Sequence, residues 1–236
     1  MIFITGATVK HYLFEFIGTF GFVFIGWGTI VFAAPFVGYL GISMAFGLAY
    51  AAMSLAFRDG HFNPAVTVAA ALSGQFAAGN KSRTALNVIG FILTQIAGAC
   101  AAAASVYFIY SGKTGYVYQG AAGLNIIDRY TLSSAFYLET LLCFLFVCLF
   151  LETAGESQNR PLACGFFITT AYLLSYPVTK GAFNPARSTA TALFGTEDAL
   201  AQLPLFWGAS LTAAVLAGLI YNPAVRRLLR KKDKKA

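Results

Sequence analysis

Along this chain, polar residues fall between long apolar runs, and the runs follow a repeating order. The first extends from about Tyr12 to Ala33 and the second from about Tyr39 to Phe57. A bilayer core of roughly 30 Å takes about 20 residues of helix to cross, so each run predicts one crossing. A short apolar piece follows, Pro64 to about Ser73, and then a third long run from about Thr84 to Tyr110. After a loop holding glycines and tyrosines, Ser111 to Tyr130, the order starts again. It gives long runs at about Leu132–Leu151 and Pro161–Tyr176, a short piece from Pro185 to about Leu193, and a last long run at about Leu203–Tyr221. The chain therefore reads as an all-α membrane protein of six transmembrane helices and two short apolar pieces. We expect one domain over 1–236, made of a repeat at about 10–110, a repeat at about 131–225 and a basic tail at 226–236. Three crossings per repeat is an odd number, so the repeats face opposite ways, and function is expected at the midplane between them.

Each short piece opens on nearly the same hexapeptide: GHFNPA at Gly60–Ala65 and GAFNPA at Gly181–Ala186. About ten residues make about 15 Å of helix, half of the apolar core. Two such half-helices, re-entering from opposite faces, can meet in the middle and together complete one crossing. Their first residues suit that meeting. Proline at the first helical position lacks an N–H that would have no partner there anyway. The preceding asparagine is a strong N-cap through its side-chain oxygen, which leaves the NH₂ of Asn63 and of Asn184 as outward donors. The non-helical residues ahead of each cap, among them Gly60, His61, Phe62, Ala182 and Phe183, can offer carbonyl acceptors. Irregular backbone at this depth is tolerated where it lines a water-filled cavity. The predicted result is a narrow wet passage with two donors at its centre. Two positive helix ends facing the midplane would repel cations there. A third Asn-Pro-Ala, Asn222–Ala224, has no half-length run after it and reads as an ordinary helix-end motif.

Glu15 and Glu139 lie in the first span of each repeat, at nearly equal distances ahead of Asn63 and Asn184. Carboxylates in a span can serve as proton relays. Their matched positions favour another use, accepting N–H bonds from the two re-entrant loops and so holding the half-helices. His61 has no second His, Cys or carboxylate at ligand spacing, so it reads as part of the passage wall and no metal or cofactor is expected.

Composition agrees with a membrane setting. The 236 residues are 58% hydrophobic and 11% charged, against about 45–50% and about 25% in soluble domains. The net charge of +7 is concentrated in the tail that follows the last span, with Arg226, Arg227, Arg230, Lys231, Lys232, Lys234 and Lys235. Beside a span, such a run marks the cytoplasmic side and not a nucleic-acid site. Lys10, Arg58, Lys81 and Arg83 fall on the same side, so both termini are expected in the cytoplasm. The short termini suggest the cytoplasmic (inner, plasma) membrane of a small prokaryote. The first run is too long for a signal peptide's apolar region and carries Glu15, so it reads as a span. Cys100, Cys143, Cys148 and Cys164 all sit in apolar segments and read as packing residues. No nucleophile–base pairing appears, so an enzyme is not expected.

With HFNPAVT, AFNPARSTA and the two span glutamates in place, the chain resembles the aquaporin (major intrinsic protein) family over nearly its whole length. Its pattern is most like that of bacterial water-selective members. The resemblance implies six helices and two half-helices per subunit, a homotetramer, and one pore in each subunit. It also implies an outer selectivity filter of Phe46, Tyr172, Gly181 and Arg187. Arg187, which could otherwise be a snorkelling interfacial charge, becomes the filter's cation-repelling donor. Tyr172 stands where water-selective members usually carry His, and Gly181 where they carry Thr or Cys. Either Tyr172 leans into the space beside Gly181 and keeps the opening narrow, or Phe46 and Tyr172 form an amphipathic wall that a small polyol or urea can pass. Ser188, Ala192 and Phe206-Trp207 follow the water-channel pattern. The Phe46–Asn63 segment is a few residues short, and Arg58-Asp59 suggests a local salt bridge.

The resulting expectation is a passive channel for water that excludes protons and ions. Facilitation of other small neutral solutes (glycerol, urea, hydrogen peroxide or ammonia) stays open. A proton-coupled transporter using Glu15 and Glu139, and a membrane structural protein with a vestigial pore, are the rivals of other classes.

Overall fold

The computed structural model describes residues 9–58, 60–76, 84–115, 124–154 and 159–224. Asp59, Lys81, Arg83 and the tail at 226–236 lie outside the described residues, as does the salt bridge expected at Asp59. The helices are α1 (Val9–Ala56), α2 (Pro64–Ser73), α3 (Thr84–Ser111), α4 (Leu132–Glu152), α5 (Asn159–Thr179), α6 (Pro185–Leu193) and α7 (Glu197–Tyr221).

The first two expected spans are merged in α1, whose 48 residues would be about 70 Å long at 1.5 Å per residue. That is more than twice the apolar thickness, and the helix does not run straight. Gly38 has φ 58° and ψ −167°, outside helical geometry and open to glycine alone, three residues after Pro35. The chain turns back there. Phe22 on the first arm meets Phe46 and Tyr50 on the second with ring centroids 5.5 and 5.8 Å apart. Among the described residues, five helices are long and apolar enough to cross a membrane. Because α1 supplies two arms, the number of crossings is six.

The half-helices run over the residues expected for them. Asn63 and Asn184 are the N-caps of α2 and α6, and Gly74 closes α2 in the left-handed conformation. The long helices extend past their apolar runs. α5 covers Asn159–Thr179, and α7 begins at Glu197-Asp198, an acidic first turn that suits a helix N-terminus but shows no hydropathy.

The two repeats exchange their half-helices. α2 packs mainly on α7 of the second repeat, α6 mainly on α3 of the first, and α2 and α6 touch. The bundle is apolar outside and polar at its axis. Leu13, Leu48, Leu93, Phe166 and Leu216 are exposed, while Glu15, Thr67, Gln95, Glu139 and Arg187 are fully buried. Close backbone approach joins the second arm of α1 to α5. A Cβ on Gly47 would lie 2.4 Å from the Gly165 carbonyl oxygen, so only glycine fits there. Asn222 has a structural use as well: its Nδ2 donates to the Leu72 carbonyl at 2.6 Å, pairing a carbonyl at the C-terminal end of α2.

Candidate functional site

Each half-helix starts in the same way. Asn63 is extended (φ −156°, ψ 122°), and its Oδ1 accepts from Ala65 N at 2.9 Å. Asn184 (φ −147°, ψ 104°) accepts from Ala186 N at 3.0 Å and from Arg187 N at 3.4 Å. With both oxygens used as caps, the amide nitrogens turn toward each other's loop. Asn63 Nδ2 donates to the Phe183 carbonyl at 2.9 Å, and Asn184 Nδ2 donates to the Phe62 carbonyl at 2.8 Å. This reciprocal pair ties the two helix tips together at the middle of the bundle. An amide nitrogen carries two N–H groups, so each asparagine keeps a second donor after that bond.

A buried carboxylate braces each loop from behind. Glu15 Oε1 accepts from His61 N at 2.7 Å, and Oε2 accepts from Phe62 N at 2.8 Å and from Gln95 Nε2 at 2.8 Å. Glu139 Oε1 accepts from Ala182 N at 3.1 Å and from the Thr179 hydroxyl, while Oε2 accepts from Phe183 N at 2.6 Å. Phe62 and Phe183 have positive φ, 53° and 23°. Such backbone costs about 1–3 kcal/mol where a side chain is present, and the carboxylate bonds offset that cost.

Peptide geometry then fixes the carbonyl directions. The described peptide bonds include no cis bond, and in a trans peptide the carbonyl of one residue points opposite to the N–H of the next. With the N–H groups of His61 and Phe62 aimed at Glu15, the carbonyls of Gly60 and His61 point away from it. The carbonyls of Gly181 and Ala182 likewise point away from Glu139. Those of Phe62 and Phe183 already accept an asparagine across the midplane. The Cys143 thiol also approaches the Phe183 carbonyl, at 3.8 Å. All four cysteines are free thiols.

At the α6 end of the paired tips, Arg187 is fully buried. Its guanidinium donates to Asn125 Oδ1 and, at 3.2 Å, to the Lys180 carbonyl. Its Cζ lies 5.1 Å from the Phe46 ring centroid and 5.5 Å from that of Tyr172. Phe46 and Tyr172 stack at 3.9 Å with an interplanar angle of 11°. The structure thus brings Phe46, Tyr172, Gly181 and Arg187 into one cluster. Asn125, which the hydropathy pattern left inside an undistinguished loop, holds that cluster. It accepts from Ser188 Oγ at 3.0 Å as well as from Arg187, and its Nδ2 donates to the Thr179 carbonyl at 3.1 Å.

On the α2 side, a cavity of about 70 Å³ is lined by His11, His61, Gln75, Phe91, Phe150 and Arg160. His61 Nδ1 and Thr67 Oγ1 are 3.0 Å apart, and Gln95 Nε2 donates to the same hydroxyl at 2.8 Å. The Arg160 guanidinium sits 4.8 Å from the Phe150 ring centroid. Gln95 and Arg160 carry no motif, and only their position in space connects them with the loops.

Six crossings, two half-helices tied tip to tip and a buried arginine near one mouth define a membrane protein of the channel type built on an inverted repeat. Residues 4–221 match the family model for the major intrinsic protein, and the chain belongs to that family. It is similar to Aquaporin Z of Brucella melitensis biotype 1, with 37% identity over 90% of this chain and 96% of that one. It is similar also to Aquaporin Z of Rhodopseudomonas palustris, with 38% identity over 90% and 92% of the two chains. Among solved structures, the aquaglyceroporin from Plasmodium falciparum superposes with a TM-score of 0.69 over 90% of this chain and 93% of that one. At 18% identity it shares the fold alone.

Proposed function

We propose that this chain is a passive channel for water that excludes protons and ions, a channel and not an enzyme. The observation that carries this reading is the convergence of the Asn63 and Asn184 amides at the tips of two opposed half-helices. A water oxygen there can accept from the second N–H of each asparagine. With its oxygen so engaged, its own hydrogens point toward the acceptors on either side, Gly60 and His61 inward and Gly181 and Ala182 outward. A molecule held this way cannot relay a proton along the file. The positive ends of α2 and α6 and the charge of Arg187 add a barrier to cations.

In the same reading, 1–236 is one pore-forming domain of two inverted repeats, about 10–110 and 131–225. The subunits form a homotetramer in the cytoplasmic membrane, with both termini and the basic tail inside. Phe46, Tyr172, Gly181 and Arg187 select at the outer mouth, and Glu15 and Glu139 hold the loops. The bonds each carboxylate already accepts support a holding role over a relay. The side of Tyr172 against Gly181 supports water over glycerol: a Cβ on Gly181 would lie 2.7 Å from Tyr172 Cδ1, so the ring already fills that space.

Stopped-flow light scattering on proteoliposomes tests the proposal. Shrinkage in sucrose well above the protein-free rate is expected, with no reswelling when glycerol is the osmolyte and no change when a pH gradient is imposed. Glycerol-driven reswelling would establish the facilitator reading, and flux that follows the pH gradient the transporter reading. Background flux from well-folded protein, including a variant with the outer mouth widened, would leave a structural protein.

A further inference from the structure

The outer cluster leaves no opening. Phe46, Tyr172 and Arg187 are each 0% exposed, their side chains closed against one another and their neighbours. The two rings lie face to face at 3.9 Å, the contact distance of carbon with carbon. On the opposite side, Tyr172 fills the place a side chain at residue 181 would take. Gly181 itself has φ 65°, a conformation that disfavours any side chain. Arg187 lies against both ring faces. By contrast, the inner cavity reaches His61.

We infer that Tyr172, stacked on Phe46, is a movable barrier across the outer end of the passage, and that its swing away from Phe46 sets the rate of water flux and the size of solute that follows. This rests on the water-channel reading above. Three features make the ring a part that can move. The two side chains are joined by ring contact alone, since Phe46 carries no group that can hydrogen-bond to the phenol. The Tyr172 hydroxyl is buried without a hydrogen-bond partner, and a phenol in that state gains a partner by turning toward water. Residue 181 behind the ring is glycine, which offers no side chain to hold it, and the Phe183 ring meets Tyr172 edge-on at 4.9 Å. Phe46 has no polar atom to turn toward water, and its ring packs edge-on against Phe22 at 5.5 Å. The moving element is therefore the tyrosine.

Reconstituted full-length chain separates this inference from the reading it rests on. Osmotic water permeability is measured against temperature for the wild type, Tyr172→Ala and Tyr172→His, with glycerol-driven reswelling alongside. The barrier predicts a wild-type flux with steep temperature dependence. For Tyr172→Ala it predicts flux about tenfold higher, the factor that goes with a barrier lower by about 1.4 kcal/mol, together with a shallow temperature dependence and glycerol uptake. Tyr172→His should fall between. A silent wild type beside a conducting Tyr172→Ala supports both ideas. Wild-type flux as shallow in temperature as bulk water, which needs no variant, overturns the barrier and leaves the water channel standing. So does equal flux in all three proteins. No flux in any of them, with the chain folded, overturns both.

Discussion

The re-entrant loops ahead of α2 and α6 do the same backbone task with different support. In each, one carboxylate takes two successive N–H groups and an asparagine caps the half-helix. Around Glu15 the remaining bond comes from Gln95, a side chain in the middle of α3, whose nitrogen also reaches Thr67 on α2 itself. Around Glu139 it comes from Thr179, the last residue of α5, whose carbonyl is held by Asn125 in the α3–α4 loop. The α2 tip is thus fastened to the helical core, and the α6 tip to the α3–α4 loop, whose Asn125 also accepts from Arg187. Near-identical hexapeptides are set in different supports: Asn125 joins the loop ahead of α6 to Arg187, whereas Gln95 joins the loop ahead of α2 to the middle of α3.

The largest expected effect falls on what the two loops share. Glu15→Ala or Glu139→Ala strands two buried N–H groups and a side-chain donor, at a cost of roughly 3–5 kcal/mol. Thermal unfolding in detergent should show both variants strongly destabilised and by similar amounts; a large effect at one site alone would break the equivalence.

The next pair sharpens the difference. Gln95→Ala should cost about 1–2 kcal/mol of stability and leave the ratio of water to glycerol flux where it was. Asn125→Ala frees a charged hydrogen bond on Arg187, so its main readout is a changed flux ratio with a smaller shift in unfolding midpoint. If Gln95→Ala alters selectivity as much as Asn125→Ala does, the two supports are not distinct.

Mercury compounds give a smaller, local test. The outer mouth presents glycine at 181, and Cys143 and Cys164 are buried, so weak inhibition of the wild type is expected. Gly181→Cys has to displace the Tyr172 ring, 2.7 Å from the new Cβ, beyond about 1–3 kcal/mol of backbone strain, and should make flux mercury-sensitive. Strong wild-type inhibition would point to Cys164 or another span cysteine reaching the passage. The smallest effect belongs to Asn222→Ala, which loses one bond to the end of α2 and should cost about 0.5–1 kcal/mol in the same unfolding assay.

The half-helices were legible because their signals are local. Asn-Pro fixes each start, and half-span length fixes the end, so Pro64–Ser73 and Pro185–Leu193 emerge from the sequence with their bounds. Helix ends at the membrane surface were less so. α7 begins with Glu197-Asp198, ahead of the apolar run expected from about Leu203, and the first arm of α1 continues past Ala33 to the break at Gly38, inside the gap that separates the two expected spans. Glu15 and Glu139 stood out because the repeat doubles them. Gln95, Asn125 and Arg160 have no such doubling: each acts through neighbours distant in the chain, and a single polar residue in a run or loop does not reveal them. That Tyr172 stacks on Phe46 could not be read either, because two placements of the ring beside a glycine fit the same sequence.

One measurement bears most directly on the claim that two opposed helix tips form a water path closed to protons. Proteoliposomes carrying the wild type or Tyr172→Ala are shrunk in sucrose while an internal dye reports an imposed pH gradient. The account predicts shrinkage faster than protein-free vesicles, fastest with Tyr172→Ala, while the pH gradient decays no faster than in those vesicles. Shrinkage at the protein-free rate in both samples, or a gradient that collapses as water moves, would contradict it.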